Sequence, residues 1–377
     1  MNENEKKYPP SSLFDDEFDG KIKLEIKKIL LENNVSPEKW EEFQPSIKFA
    51  LDSAFLESSK DIINELHADQ EHLLIEKKLE QKKFSQEIHD RWGKALDFLE
   101  AYIHASLEIG DAFNAKHRSL KNIEQCYTIE VITRLHGRAC QIAQEILILL
   151  KHGFPDGAFA RWRTLHEIAV LSQIVITHGE EIAKLYYLHE IYLSKNAMTN
   201  YNKYLQKYPD KLFDRRYSDE EFIKIQLQID KLQKTHQDYF PQPYGWAAGL
   251  IIQNYPNKTK FSFSDLEELV GQDFMRPYYK MASYFVHGEI KGLTASLSKG
   301  FANVIPAGPS IFHFIEPGQN TAISLLKINA TILSLEQSMQ SRLIYTIFDE
   351  LCDEICKEFI AVEFDMKNRR RNYLENE

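Results

Sequence analysis

A chain of 377 residues suffices for one large domain or for two to three small ones. With 43% apolar and 27% charged residues it reads as a globular protein, and its 23 Phe and 18 Tyr are enough to build a sizeable core. The net charge of −10 excludes a generic nucleic-acid coat but leaves room for a local basic cleft.

In chain order, residues 1–20 are polar and acidic with no apolar h-region, so they read as a disordered tail and not as a signal peptide. The longest apolar runs, such as IAVLSQIVI, are too short to span a bilayer. A bacterial-type cytoplasm with no membrane contact is the expected location. Residues 21–115 read as a helical N-terminal extension. In KIKLEIKKILLENN, Ile22, Ile26, Ile29 and Leu30 share one stripe, and a new helix begins at Ser36-Pro37. The charged stretch that follows spaces Ile63, Leu66, Leu73, Leu74, Leu79 and Phe84 at helical but imperfect heptad intervals. Two readings fit it, a solvated helix and a short dimerising coiled-coil arm.

Residues 125–178 are the most apolar segment. The sequence predicts a helix up to Gly153, a Pro155-Asp156-Gly157 turn in which Asp156 caps the next helix, and then a second helix, together an antiparallel αα-hairpin. Residues 180–240 read as polar helix, and YFPQPYGWAAG as a structured loop. SFSDLEELVGQ reads as a short capped helix, with a further helix over RPYYKMASYFVHG. Residues 298–320, rich in Gly and Pro, are the one place where a small hairpin is expected. Residues 320–366 return to one or two long helices, and 367–377 form a basic tail. The fold class expected is all-α.

The second helix of the αα-hairpin carries the chemistry. It is apolar nearly all round, yet holds Arg161, Arg163, His166 and Glu167, and charge in such a helix is costly unless paired or used. Arg163, His166, Glu167 and Val170 stand at i, i+3, i+4 and i+7 and share a face, so Arg163 pairs with Glu167 and reads as chiefly structural. Arg161 points to another side, near a helix N-terminus that favours an anion. A buried polar network that fixes helix register explains the same residues without chemistry. His287, beside Gly288 at a helix end, either joins His166 and Glu167 in a site or interacts with the helix dipole. His136, on the first helix of the hairpin, is a candidate substrate contact.

Arg161 to His166 is an R-x4-H spacing in the second helix of an αα-hairpin, and in this it resembles the HEPN superfamily. The wider stretch RLHGRACQIAQEILILLKHGFPDGAFARWRTLHE, with the later SYFVHG, also resembles a bacterial helical domain family of unknown function, over roughly residues 120–300. The resemblance implies a HEPN-like antiparallel helical bundle over 116–366 and a homodimer. It implies a metal-independent endoribonuclease or toxin-like effector acting in antiviral (phage) defence, with Arg161 stabilising the transition state and His166 as acid/base. RNA is then the expected partner. Trp162 follows the arginine where HEPN proteins often carry a polar residue. The alternative is a non-catalytic helical sensor or scaffold that binds a partner protein or small ligand.

No cofactor is expected, since the sequence holds no GxGxxG, HExxH or GxSxG motif and no glycine-rich phosphate loop. No metal site is expected either. His152, His166 and His287 lack close ligand spacing with Asp156 or Glu167, and Cys126, Cys140, Cys352 and Cys356 read as reduced thiols.

Overall fold

Apolar positions at helical spacing fold into helices along the described chain, which comprises residues 40–118, 126–208, 217–235, 239–287, 290–297 and 307–375 of a computed structural model. The described residues contain no strand. The chain divides into two units, 1–82 and 83–377. Helix α1, Trp40–Arg118, contributes its residues to both. In the first unit Ile63, Leu66, Leu74 and Leu79 are exposed, and Lys77 pairs with Glu80 one turn on. The expected tail, the amphipathic stripe at 22–30 and the Ser36-Pro37 helix start lie outside the described residues.

The second unit begins at Lys83. The reason is packing: Ile88, Trp92, Leu99, Tyr102 and Ile103 of α1 are buried in the same core as the hairpin. That hairpin is α2, Tyr127–Lys151, and α3, Pro155–His178, joined through Gly153 at φ 81. A side chain at Gly153 would strain the backbone and strike Phe84 and Pro309, so glycine is required there. The α2 N-cap residue, Cys126, makes no side-chain cap. Glu180 supplies it instead, accepting the N–H groups of Tyr127 (2.7 Å) and Thr128 (2.9 Å) and the Thr128 hydroxyl (2.9 Å). These bonds hold the Glu180 carboxyl below the usual carboxylate range although burial opposes them.

Beyond the hairpin come α4, Glu180–Lys207, and α5, Asp219–Thr235. A 3-10 turn, Gly245–Ala247, leads into α6, Ala248–Asn254, and then α7, Phe263–Leu269. A second 3-10 turn, Asp273–Met275, opens α8, Arg276–Val286, followed by α9, Ile290–Leu297. α7 has the expected cap, a reciprocal box between Ser262 and Asp265.

The chain closes with α10, Ile315–Glu336, and α11, Met339–Glu375. The hairpin expected over 298–320 is not formed within the described part: 307–314 is irregular and 315–320 already belongs to α10. Pro317 sits in the first turn of α10, where an N–H has no intrahelical partner to lose. Gly318 is needed because a Cβ there would lie 2.3 Å from the buried ring of Phe359 on α11. The irregular segment is held by Trp92, whose indole N–H donates to the Ile311 carbonyl at 2.9 Å and whose ring stacks on Phe314 at 4.9 Å. The basic tail expected from residue 367 continues α11 as far as Glu375.

α10 packs on both helices of the hairpin and on α11, and α3 also packs on α7 and α8. Two apolar clusters result. Trp162 of α3 belongs to the larger, and Val170 belongs to a smaller one with Trp246, Phe263, Leu266 and Tyr279. His166 lies between these two residues on the helix. No helix among the described residues is long and apolar enough to cross a membrane.

Candidate functional site

The first turn of α3 differs from the expected cap. Phe154 occupies the N-cap position with no side-chain bond, Pro155 opens the helix, and Asp156 lies inside the first turn. Burial raises the Asp156 carboxyl above its usual range, and His313 opposes that rise.

Arg161 is paired across the hairpin. Its Nε pairs with Glu145 of α2, and one terminal nitrogen lies 3.4 Å from the Thr164 hydroxyl. His166 is 1% exposed and shares a 2.7 Å hydrogen bond between Nε2 and Oε1 of Glu267 on α7, itself fully buried. Five residues on a helix turn by roughly 140° net, so Arg161 and His166 face different ways. Between them Trp162 is buried, donating its indole N–H to the Asn320 carbonyl (2.9 Å) and the Ser324 hydroxyl (3.0 Å) of α10. Its ring stacks on His166 at 5.3 Å, so the aromatic after the arginine is a core residue.

A second polar group is built around Arg163. Arg163 Nε lies 3.4 Å from Glu167, and the two side chains are 27% and 32% exposed. The Tyr279 hydroxyl of α8 donates to Glu167. Burial first, then the Glu167 carboxylate, raises the Tyr279 phenol, so it stays protonated. Arg276, at the start of α8, pairs with the second oxygen of Glu267. The guanidinium groups of Arg163 and Arg276 lie 4.7 Å and 5.2 Å from the Tyr279 ring centre, and Arg276 also stands 5.5 Å from that of Phe263. Two cations, a carboxylate and a phenol thus converge where α3, α7 and α8 meet.

Of the residues singled out in the sequence, Arg163 and Glu167 come together here. His166 lies beneath them, and Arg161 turns away toward α2. Glu267, not Glu167, holds the His166 imidazole. His287 is the exposed C-cap of α8, eight residues or roughly 12 Å of helix rise beyond Tyr279, and bonds to neither His166 nor Glu167. His136 is 3% exposed on α2, with Nε2–H donating to Asn329 Oδ1 at 3.0 Å. It therefore lies in the core. The described residues contain no group of three or more His, Cys, Asp or Glu side chains able to hold a metal ion.

Glu267, Arg276, Tyr279 and Tyr244 escape a reading of the sequence alone. Glu267 had a signal. Phe263, Leu266, Glu267 and Val270 stand at i, i+3, i+4 and i+7, so a carboxylate occupies the apolar stripe of α7. Nothing in the local sequence marks Arg276 or Tyr279, because their roles depend on α8 packing against α3.

His136 has a consequence for pH. Burial lowers its pKa in the folded protein, with the Asn329 bond opposing, against about 6.5 when unfolded. Its contribution to stability is full above about pH 6.5 and is lost as pH falls below that value toward the lowered native pKa. His136→Gln keeps a donor for Asn329 and does not titrate. Urea midpoints measured at pH 7 and pH 5 should therefore fall less in the variant than in the wild type. Equal falls would remove His136 from the acid response.

Residues 129–302, a little under half of the chain, match a family of unknown function (DUF5677). The match covers the hairpin, both glutamates and both arginines of the site. No curated protein and no solved structure matches the chain.

Proposed function

We propose that the protein is a HEPN-like, metal-independent endoribonuclease, a toxin-like effector of phage defence working as a homodimer, and that its active face is built on Arg163, Glu167 and Arg276. The observation that carries this reading is the convergence of two guanidinium groups on Tyr279 beside a partly exposed carboxylate. In the reaction the ribose 2′-oxygen forms a bond to the adjacent phosphorus as the bond from phosphorus to the 5′-oxygen breaks, giving a 2′,3′-cyclic phosphate and a 5′-hydroxyl. Glu167 accepts the 2′ proton, held in place by the Tyr279 hydroxyl. Arg163 and Arg276 face the charge that grows on the non-bridging oxygens. The leaving 5′-oxygen takes its proton from solvent.

Single-turnover cleavage of a generic RNA in excess EDTA tests this. Arg163→Ala is expected to lose about 10²–10³ in rate, the usual loss for one preorganised charge-stabilising donor. Arg161→Ala is expected to change the rate by less than about threefold, since Arg161 is held on Glu145. The reverse ranking returns the site to the Arg161/His166 pair.

A second reading, a non-catalytic scaffold, draws on the exposed side chains of Met339, Leu343, Ile347 and Leu351 at four-residue intervals on α11. Absence of cleavage by pure wild type, together with loss of a partner complex in Leu343→Glu, would favour it.

A further inference from the structure

Tyr244 has φ 59 and ψ 14, the left-handed region that glycine and asparagine enter most readily. A large aromatic held in that conformation is strained, and strain of this kind gathers at ligand clamps. Its ring is half-buried, 6.5 Å from Phe263, whose own ring lies 5.0 Å from Tyr279. Burial raises its phenol, and the Phe263 ring that it approaches also stands 5.5 Å from the Arg276 guanidinium. The sequence thus keeps a ring at the edge of the two-arginine face at a conformational cost.

We propose, on the basis of the ribonuclease reading, that Tyr244 selects unpaired RNA by stacking on the base beside the phosphate that Arg163 and Arg276 hold. A base in a duplex has both faces covered by its neighbours and offers none to a protein ring, whereas an unpaired base does. The two arginines contact phosphate in either substrate, so they supply affinity without discrimination. Tyr244 is then the specificity-determining residue of the site, held beside Phe263 by a backbone in the left-handed region.

The test is fluorescence anisotropy in EDTA with a single-stranded 2′-O-methyl RNA, which has no free 2′ nucleophile, and with the matching duplex. Wild type should prefer the single strand. Tyr244→Gly should weaken single-strand binding about 5- to 150-fold, the range for loss of one stacked base, with duplex binding unchanged. Tyr244→Phe should bind within about twofold of wild type. Melting temperatures check that the variants fold, and Tyr244→Asn, which tolerates the same backbone, replaces the glycine variant if that one unfolds. Single-strand binding by Tyr244→Gly equal to wild type overturns the proposal. If Arg163→Ala loses binding while Tyr244→Gly does not, the base-stacking role fails alone. If neither variant differs from wild type, or wild type binds no RNA, the ribonuclease reading fails with it.

Discussion

Glu267→Ala is expected to destabilise the protein by about 3–5 kcal/mol, the cost of removing one partner from a buried charged set. Glu267 is fully buried, and one carboxylate joins His166 to Arg276. Without it, His166, at 1% exposure, loses its hydrogen-bond partner, and the Arg276 charge loses its counterion. Glu267→Gln should cost less, because its amide oxygen still accepts from the imidazole. Chemical denaturation of both variants, with Arg276→Ala and the double variant, measures the coupling directly. A loss under about 1 kcal/mol for Glu267→Ala would show that the set is solvated and that His166 is reachable by a ligand.

The second large effect is expected at Trp162. Trp162→Ala removes a fully buried indole that touches Phe159, His166 and α10, and such truncations cost about 3–5 kcal/mol. The variant also leaves the Asn320 carbonyl and the Ser324 hydroxyl without their shared donor. Trp162→Phe restores most of the ring but not the donor, so it should recover most of the loss. Thermal melting of the two separates packing from hydrogen bonding. Near-equal melting temperatures for both variants would make the indole N–H, and not the ring, the larger contributor.

These two residues show how far the sequence carries. The helices were legible because apolar spacing is local: the αα-hairpin, the capped helix at Ser262 and the helical character of the closing segment can all be read from their own residues. The Arg163–Glu167 pair was legible for the same reason, since i and i+4 are neighbours on any helix. The partners of Arg161 and His166 were not. Glu145 lies on the preceding helix and Glu267 about a hundred residues downstream, and no short-range pattern ties either to its mate. Two residues five apart on a helix also diverge in direction, so Arg161 and His166 meet different partners. Within the described residues 307–320, composition is what misdirects the expected hairpin. Gly and Pro there serve a close helix approach at Gly318 and a first turn at Pro317, and composition alone does not distinguish those uses from a β-turn.

The cap that Glu180 places on α2 has a consequence for synthesis. The first turn of α2 is translated well before Glu180 exists, and the capped residues precede it by 53 and 52 positions. At about 5–20 residues per second, the first turn of α2 leaves the ribosome and waits roughly 3–10 s for its acceptor. Until then the open N–H groups of Tyr127 and Thr128 bond only to water. A fragment ending at His178 carries the whole αα-hairpin and lacks the one carboxylate that closes it, so cutting the chain by its visible helices would sever a contact that belongs to both sides of the cut.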